Sequence, residues 1–269
     1  MMHVRILGIG VVAGGLPDWP ATRAVLRGEQ PYEPAPLARY AAELLPANER
    51  RRLTPAVRLA LQAATEATAA HPELRERAAS VFVSESGDLG ITERMCRALA
   101  QENPMISPVD FHNSVHNAAS GYWAIASRCR APSTSLSAGP GNLAAGLLEC
   151  AMQSQCSTEP VLLVAFELPP PEDLRWPGAP REPFACALLL HTGDAPAALA
   201  TLQLTPESPA AEARETSDSR GDPALRALAE DNKASAVLPL LALIAGNRNG
   251  RIRLPLSYNA GLGVEVVID

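Results

Sequence analysis

Apolar and polar positions along the chain follow two periods, and where one gives way to the other the elements can be drawn. Residues 3–13 are an apolar, β-branched run closed by Gly14-Gly15, the pattern of a buried strand. A helix from about Trp19 to Gly28 follows, then Pro-rich sequence as far as Pro46. Between Thr54 and Ala70 the residues Val57, Ala60, Leu61, Ala64 and Ala67 recur at steps of three and four. They make one stripe of a long helix, which His71-Pro72 ends. Residues 79–84 (ASVFVS) are strand-like, and a helix from about Ile91 to Glu102 comes after them.

A further helix is predicted from about Ser114 to Arg128, a strand over 133–138, and a helix from about Pro140 to Gln155. PVLLVAFE (160–167) reads as another buried strand. FACALLLHT (184–192) and ALATLQL (198–204) read as strands that could pair as a hairpin across Gly193-Asp194. Residues 205–222 are rich in Pro, Ser, Glu and Arg and are expected to form a mobile loop inside one domain spanning 1–269. A helix from about Pro223 to Ala245 and two strands, RIRLPLSY and VEVVI, end the chain. Strands alternating with helices predict an α/β protein with a mostly parallel sheet.

Composition sharpens this picture in one respect. Hydrophobic residues make up 47% of the 269 positions but aromatics only 4%, so the core must pack small side chains in close helix–sheet contact. The net charge is −6 and no dense Lys/Arg stretch occurs, which argues against nucleic acid and anionic membranes as partners. No apolar run reaches the roughly 18 residues of a membrane span, and the short apolar N-terminus reads as a strand rather than a signal peptide. The five cysteines are odd in number and contain no C-x-x-C pair, which suits a reducing cytoplasm.

The densest candidate chemistry lies in residues 107–151. A Ser-Pro segment precedes HNSVHNAASGYW, an Asn-Ala-Ala-Ser-Gly helix start (Asn117 to Gly121). After it come the turn Arg130-Ala131-Pro132, a Ser-x-Ser-Ala strand end and a small-residue helix. This order resembles the centre of β-ketoacyl synthases, which have the thiolase fold. RILGIGVV resembles the family's first strand, LTPAVRLALQAATEA its next helix, VFVSESGDLGITERM the following strand and Gly-rich turn, and EPVLLVAFE the strand after the nucleophile helix. The resemblance covers about residues 3–192, the family's N-terminal half. Within the family it is strongest to the short chain-length-factor group associated with bacterial aryl polyene clusters. It implies a thiolase-like α/β fold with a mixed sheet and flanking helices.

In active members a cysteine opens the helix after the strand 133–138, where the helix dipole and free N–H groups favour the thiolate. Counted from Pro132, that place falls on Pro140, give or take one position, within Gly139, Pro140 and Gly141. Proline has neither thiol nor backbone N–H, so the resemblance implies that nucleophile and one oxyanion donor are lost together. Losing one such donor alone costs roughly 3–4 kcal/mol of barrier. Proline also suits the first position of a helix, with Gly139 as cap. No His-Gly-Thr-Gly-Thr motif occurs, and no histidine follows residue 192. SYNAGLGVEVVI (257–268) faintly resembles the family's last Gly-rich loop and strand.

Other readings of these residues are open from sequence. His112 and His116, four apart with Asp110 nearby, could hold a metal on one helix face, or could be surface or interface histidines bound to backbone groups. Ser135 and Ser137 could be nucleophiles, or hydroxyls that satisfy strand-end amides. Cys150, on a side with Leu147 and Ala151, fits a buried inert thiol. Tyr122 and Trp123 fit either core packing or the lining of an acyl tunnel.

The resemblance implies a non-catalytic partner of an active ketosynthase, with acyl and malonyl groups carried by acyl carrier protein and no cofactor or metal of its own. By resemblance, the strand Ser133, Thr134, Ser135, Leu136, Ser137 pairs antiparallel with a dimer mate, either a ketosynthase or a second copy of this chain. Tunnel-gating residues would lie between Val109 and Trp123, with Phe111, His112, Val115 and His116 foremost. A stand-alone acyltransferase or decarboxylase, and a carrier-binding module, are the alternatives. A chain that keeps mainly the N-terminal half needs cover for its exposed sheet and helix faces, from residues 223–269 or from a partner.

Overall fold

The computed structural model describes residues 2–193, 198–208, 222–257 and 259–268. In chain order the elements are β1 (Met2–Ala13), α1 (Trp19–Leu26), α2 (Ala47–Arg52), α3 (Pro55–Ala67), β2 (Ala79–Val83), α4 (Leu89–Leu99), α5 (Pro108–Asn113) and α6 (Ala118–Ser127). Then come β3 (Ser133–Leu136), α7 (Asn142–Gln155), β4 (Val161–Glu167), β5 (Phe184–His191), β6 (Ala200–Glu207), α8 (Pro223–Asp231), α9 (Leu238–Ala245), β7 (Gly250–Ser257) and β8 (Ala260–Val267). Several helix starts are set by polar caps the sequence supplies. Asp18 Oδ1 accepts from Ala21 N at 2.8 Å, Thr54 Oγ1 from Val57 N at 3.3 Å and Asp88 Oδ1 from Ile91 N at 3.1 Å. Proline stands in the first two helical positions of α1, α3 and α5, where its missing N–H costs nothing.

The strands form one eight-stranded sheet in the order β3-β2-β4-β5-β1-β6-β8-β7. Helices cover both faces. On one face β1, β2, β4 and β5 pack against α7, and β7 and β8 against α9, with Leu143, Leu147, Leu241 and Ile244 in the core. On the other, α3 and α6 bury Ala60, Ala63, Ala64, Trp123 and Phe82. The small side chains of α3 bring it onto β1 itself. A β-carbon on Gly10 would stand 2.1 Å from Ala63 O, and one on Gly8 would stand 2.0 Å from Ala67 O. The core with few rings works through this backbone-level approach.

Five expectations are corrected. Only β2–β3 and β2–β4 run parallel, so the sheet is mixed rather than mostly parallel. β5 and β6 do not form a hairpin: β1 lies between them and pairs antiparallel with both. The helix expected over 223–245 is broken at Asn232. Its backbone is extended (φ −117°, ψ 125°), and its side chain caps the next turn through Ala234 N while donating to Glu167 O and Glu182 O. The helix expected from Ser114 begins at Ala118, and a separate α5 precedes it. Of the loop expected over 205–222, residues 205–207 continue β6, paired with β8, while 209–221 lie outside the described residues, as does Asp194 of the expected hairpin turn. Cover for the sheet comes from the chain's own C-terminal segment, through α8, α9 and the β7–β8 hairpin.

Candidate functional site

The three parallel strands β3, β2 and β4 end at the same edge of the sheet. Carboxyl ends of parallel strands are where α/β proteins place their chemistry. Here they gather Ser137 and Ala138 after β3, Ser84 to Ser86 after β2, and Glu167 as the last residue of β4.

The turn after β3 is a single 3₁₀ turn, Gly139–Gly141, opened by Gly139 with φ +55°. Asn142 Oδ1 accepts from Ala138 N at 2.5 Å, and Gly141 N donates to Ala138 O at 3.1 Å. Pro140 therefore sits inside the 3₁₀ turn rather than at the first position of α7, which starts at Asn142 with Gly141 as its cap. Gly139 supplies the left-handed backbone that admits the tighter turn. Ala138 and Pro140 are exposed, so the tip lies at the surface.

Glu85 and Lys233 form an ion pair beside this turn, and Glu85 O accepts from Ser137 Oγ at 3.2 Å. A β-carbon on Gly139 would come 4.0 Å from Glu85 Oε1. Glu167 is 4% exposed and accepts from the Glu85 backbone N–H. Burial pushes the Glu167 carboxyl up to about 7, against the hydrogen bond from Glu85 N and with help from the Glu85 charge. None of these three charged residues stood out in the sequence. The available signal was an acid at or just past the ends of two strands, VFVSE and LLVAFE, and it carries meaning only once those strands are known to be parallel neighbours.

The segment before β3 presents apolar side chains to the outside. Phe111 is 66% exposed and Val115 52% exposed, and Met105 and Val109 are exposed beside them in sequence. His112, in α5, meets the edge of Tyr122 with ring centroids 6.3 Å apart. His116 lies beyond the end of α5, its Nε2 3.0 Å from Ser84 O, so the two histidines do not share a helix face. Asp110 is held by Arg94 at 2.7 Å, which keeps its carboxyl below the usual range. No group of three or more His, Cys, Asp or Glu placed to hold a metal occurs among the described residues. Tyr122 and Trp123 are 3% and 1% exposed and pack in the α3-side core. A cavity of about 150 Å³ is lined by Ser86 to Gly90 after β2, the start of α3, Arg94 and Leu168. Gly87 and Arg94 of its lining also meet His116 and Asp110.

β3 closes one end of the sheet, and its outer edge is open. Ser80 N and Ser84 N donate to Pro132 O and Leu136 O, so by alternation Ser133 and Ser135 turn their backbone groups outward. The hydroxyls of this strand are in use: Ser80 Oγ donates to Ser133 Oγ at 3.0 Å, Gln153 Nε2 to Thr134 Oγ1 at 3.1 Å, and Ser120 and Ser135 hydroxyls bond at 3.2 Å. Strand pairing ends at Leu136, and Ser137 turns back to Glu85. Cys150 is fully buried, which pushes its thiol well above the ordinary value. No described helix is long and apolar enough to cross a membrane.

The order of strands and the turn after β3 define a thiolase-like ketosynthase fold, and solved structures agree. A chain of the ketosynthase ApeO in complex with its chain length factor ApeC from Xenorhabdus doucetiae superposes with TM-score 0.72 at 24% identity. The match covers 98% of this chain and 100% of that one. A chain of the ishigamide ketosynthase/chain length factor gives TM-score 0.72 at 14% identity, covering 98% and 99%. The acyl-carrier protein complex AntDE:AntF, with its ketosynthase bound to the hexaketide, gives 0.76 at 13% identity, covering 100% and 99%. A search of curated protein sequences found no match. The beta-ketoacyl synthase N-terminal domain family matches residues 19–239, and the chain belongs to that family.

Proposed function

We propose that this chain is a chain length factor: a non-catalytic subunit that pairs with an active ketosynthase in a type II polyketide or fatty-acid-like pathway of the cytoplasm. The observation that carries the reading is the turn at Gly139–Gly141, kept in place after an open-edged strand but with no nucleophile at its tip. The catalytic cysteine belongs to the partner, and the acyl chain arrives on acyl carrier protein. Two structures this chain resembles over its full length are ketosynthase and chain length factor complexes, and a third is an acyl-carrier protein in complex with its ketosynthase.

The outer edge of β3 pairs with the partner, and the exposed row Met105, Val109, Phe111 and Val115 extends that contact. Exposed apolar side chains and an unpaired strand edge are each a liability unless something covers them. Phe111, His112, Val115 and His116 then stand at the end of the partner's acyl tunnel and limit how many two-carbon units are added. Co-expression with a ketosynthase that retains its cysteine should give a stable one-to-one complex, and Phe111→Ala should lengthen its product. Acyl transfer or malonyl decarboxylation by the purified chain alone would overturn the reading. A dimer of this chain that no ketosynthase displaces would do the same.

A further inference from the structure

The peptide joining Ser84 and Glu85 is held from both sides. Its N–H donates to the Glu167 carboxylate, and its C=O, 3.0 Å from His116 Nε2, meets the imidazole. We infer that Glu167 is a positioning residue for His116, acting through this one peptide, and that it fixes the ring with Nδ1 turned toward the surface the partner meets.

A carbonyl oxygen only accepts, so His116 Nε2 carries a proton, and in the neutral imidazole Nδ1 is left as an acceptor. Nδ1 has no hydrogen-bond partner among the described residues, and His116 is exposed. The peptide itself cannot drift. Ser84 is 1% exposed, its N–H donates to Leu136 O at 3.2 Å, and its hydroxyl accepts from Gly87 N at 2.9 Å. Gly87, with φ +61°, brings the loop under the ring, its absent β-carbon 3.6 Å from His116 Cδ2. A carboxylate on the N–H side polarises the peptide and strengthens the acceptor on the other side. Glu85 adds a second tether, since its side chain holds Lys233 of the C-terminal segment. His116 thus meets the partner as an oriented acceptor for a hydroxyl or N–H group.

The effect on product length rests on the proposed function; the effect on the ring does not, and the two can be read separately. Histidine ¹⁵N spectra of the purified chain at pH 8, where Glu167 is ionised, report the Nε2–H proton of His116, assigned by its loss in His116→Asn. Glu167→Ala should speed exchange of that proton with water roughly tenfold, the equivalent of about one hydrogen bond. Glu167→Gln, whose amide oxygen still accepts from Glu85 N–H, should restore it. If Glu167→Ala does not fold, Glu167→Asp, one methylene shorter, should show the same loss. A folded Ala or Asp variant with wild-type exchange overturns the inference, as does a Gln variant that fails to rescue. In a ketosynthase complex, Glu167→Ala should shift product length in the same direction as His116→Ala while the complex still forms. Failure of the wild-type chain to bind any ketosynthase would count against the proposed function alone.

Discussion

The backbone carbonyl of Leu256 occupies the space beside Gly141: a β-carbon at 141 would stand 2.1 Å from that oxygen. Strand β7 therefore rests directly on the turn after β3, and the two ends of the sequence-distant site are joined by the absence of one side chain.

Gly141→Ala forces either the turn or β7 to move. Overpacking of a core commonly costs roughly 1–3 kcal/mol, and here the obstacle is backbone that cannot rotate away. Chemical denaturation should show a loss of about 3 kcal/mol or more. A loss under about 1 kcal/mol would mean that β7 parts from the turn freely.

Stability should fall between pH 5 and pH 8. Glu167 and Glu66 both hold their protons up to about 7 in the folded chain, against 4.5 ordinarily, chiefly because they are buried. Glu66 does so although Val11 N donates to it at 2.9 Å and Trp19 N donates as well. The folded chain thus binds more protons than the unfolded one over that interval, so each group costs stability as pH rises through it, by up to roughly 3 kcal/mol. Asp110, lowered by Arg94, acts the other way: it contributes above its ordinary value and is lost in strong acid. Melting temperature should therefore peak near about pH 5, and Glu66→Gln with Glu167→Gln should flatten the decline above it. A wild-type chain more stable at pH 8 than at pH 5 would contradict this.

Ser135→Pro separates the edge of β3 from its interior. The Ser135 N–H points away from β2, so proline there leaves the β2–β3 ladder intact and removes an outward donor. The chain should stay folded by circular dichroism and lose pairing with its partner on gel filtration. Pairing that survives the substitution would place the interface elsewhere.

Pro140→Cys should not create a ketosynthase. The position is exposed and inside a 3₁₀ turn, and the Glu85 carboxylate, paired with Lys233, lies beside the adjoining Gly139. The new thiol should titrate near the ordinary cysteine value and form no acyl adduct with an acyl carrier substrate, as read by intact mass. Rapid acylation of the purified variant would show that the turn retains its activating field.

Much of the fold was legible in the residue pattern. The stripe Val57, Ala60, Leu61, Ala64, Ala67 forms α3, and the strands at 79–83, 133–136 and 161–167 appear close to where the apolar runs put them. The order Asn117 to Gly121, Pro132, then Gly139–Gly141 is enough to identify the family. The pattern misled where pairing is not local. β5 and β6 are neighbours in sequence, yet each pairs with β1, so the strand from the far end of the chain comes between them. The helix over 223–245 looked continuous because nothing in its own apolar period reveals that Asn232 is drawn out to bond Glu167 and Glu182.

The sequence by itself determined the family, most element types and the presence of Pro140, a residue with no reactive side chain, in the turn after β3, because these depend on residue identity at fixed local spacing. Only the tertiary structure decided that Glu85, Glu167 and Lys233 share one site, that Pro140 lies at the surface, and that His116 reaches Ser84. Those placements follow from the parallel alignment of three strand ends and from a C-terminal hairpin resting on Gly141. Alignment and docking of that kind come from buried contacts between distant segments, which no local pattern encodes.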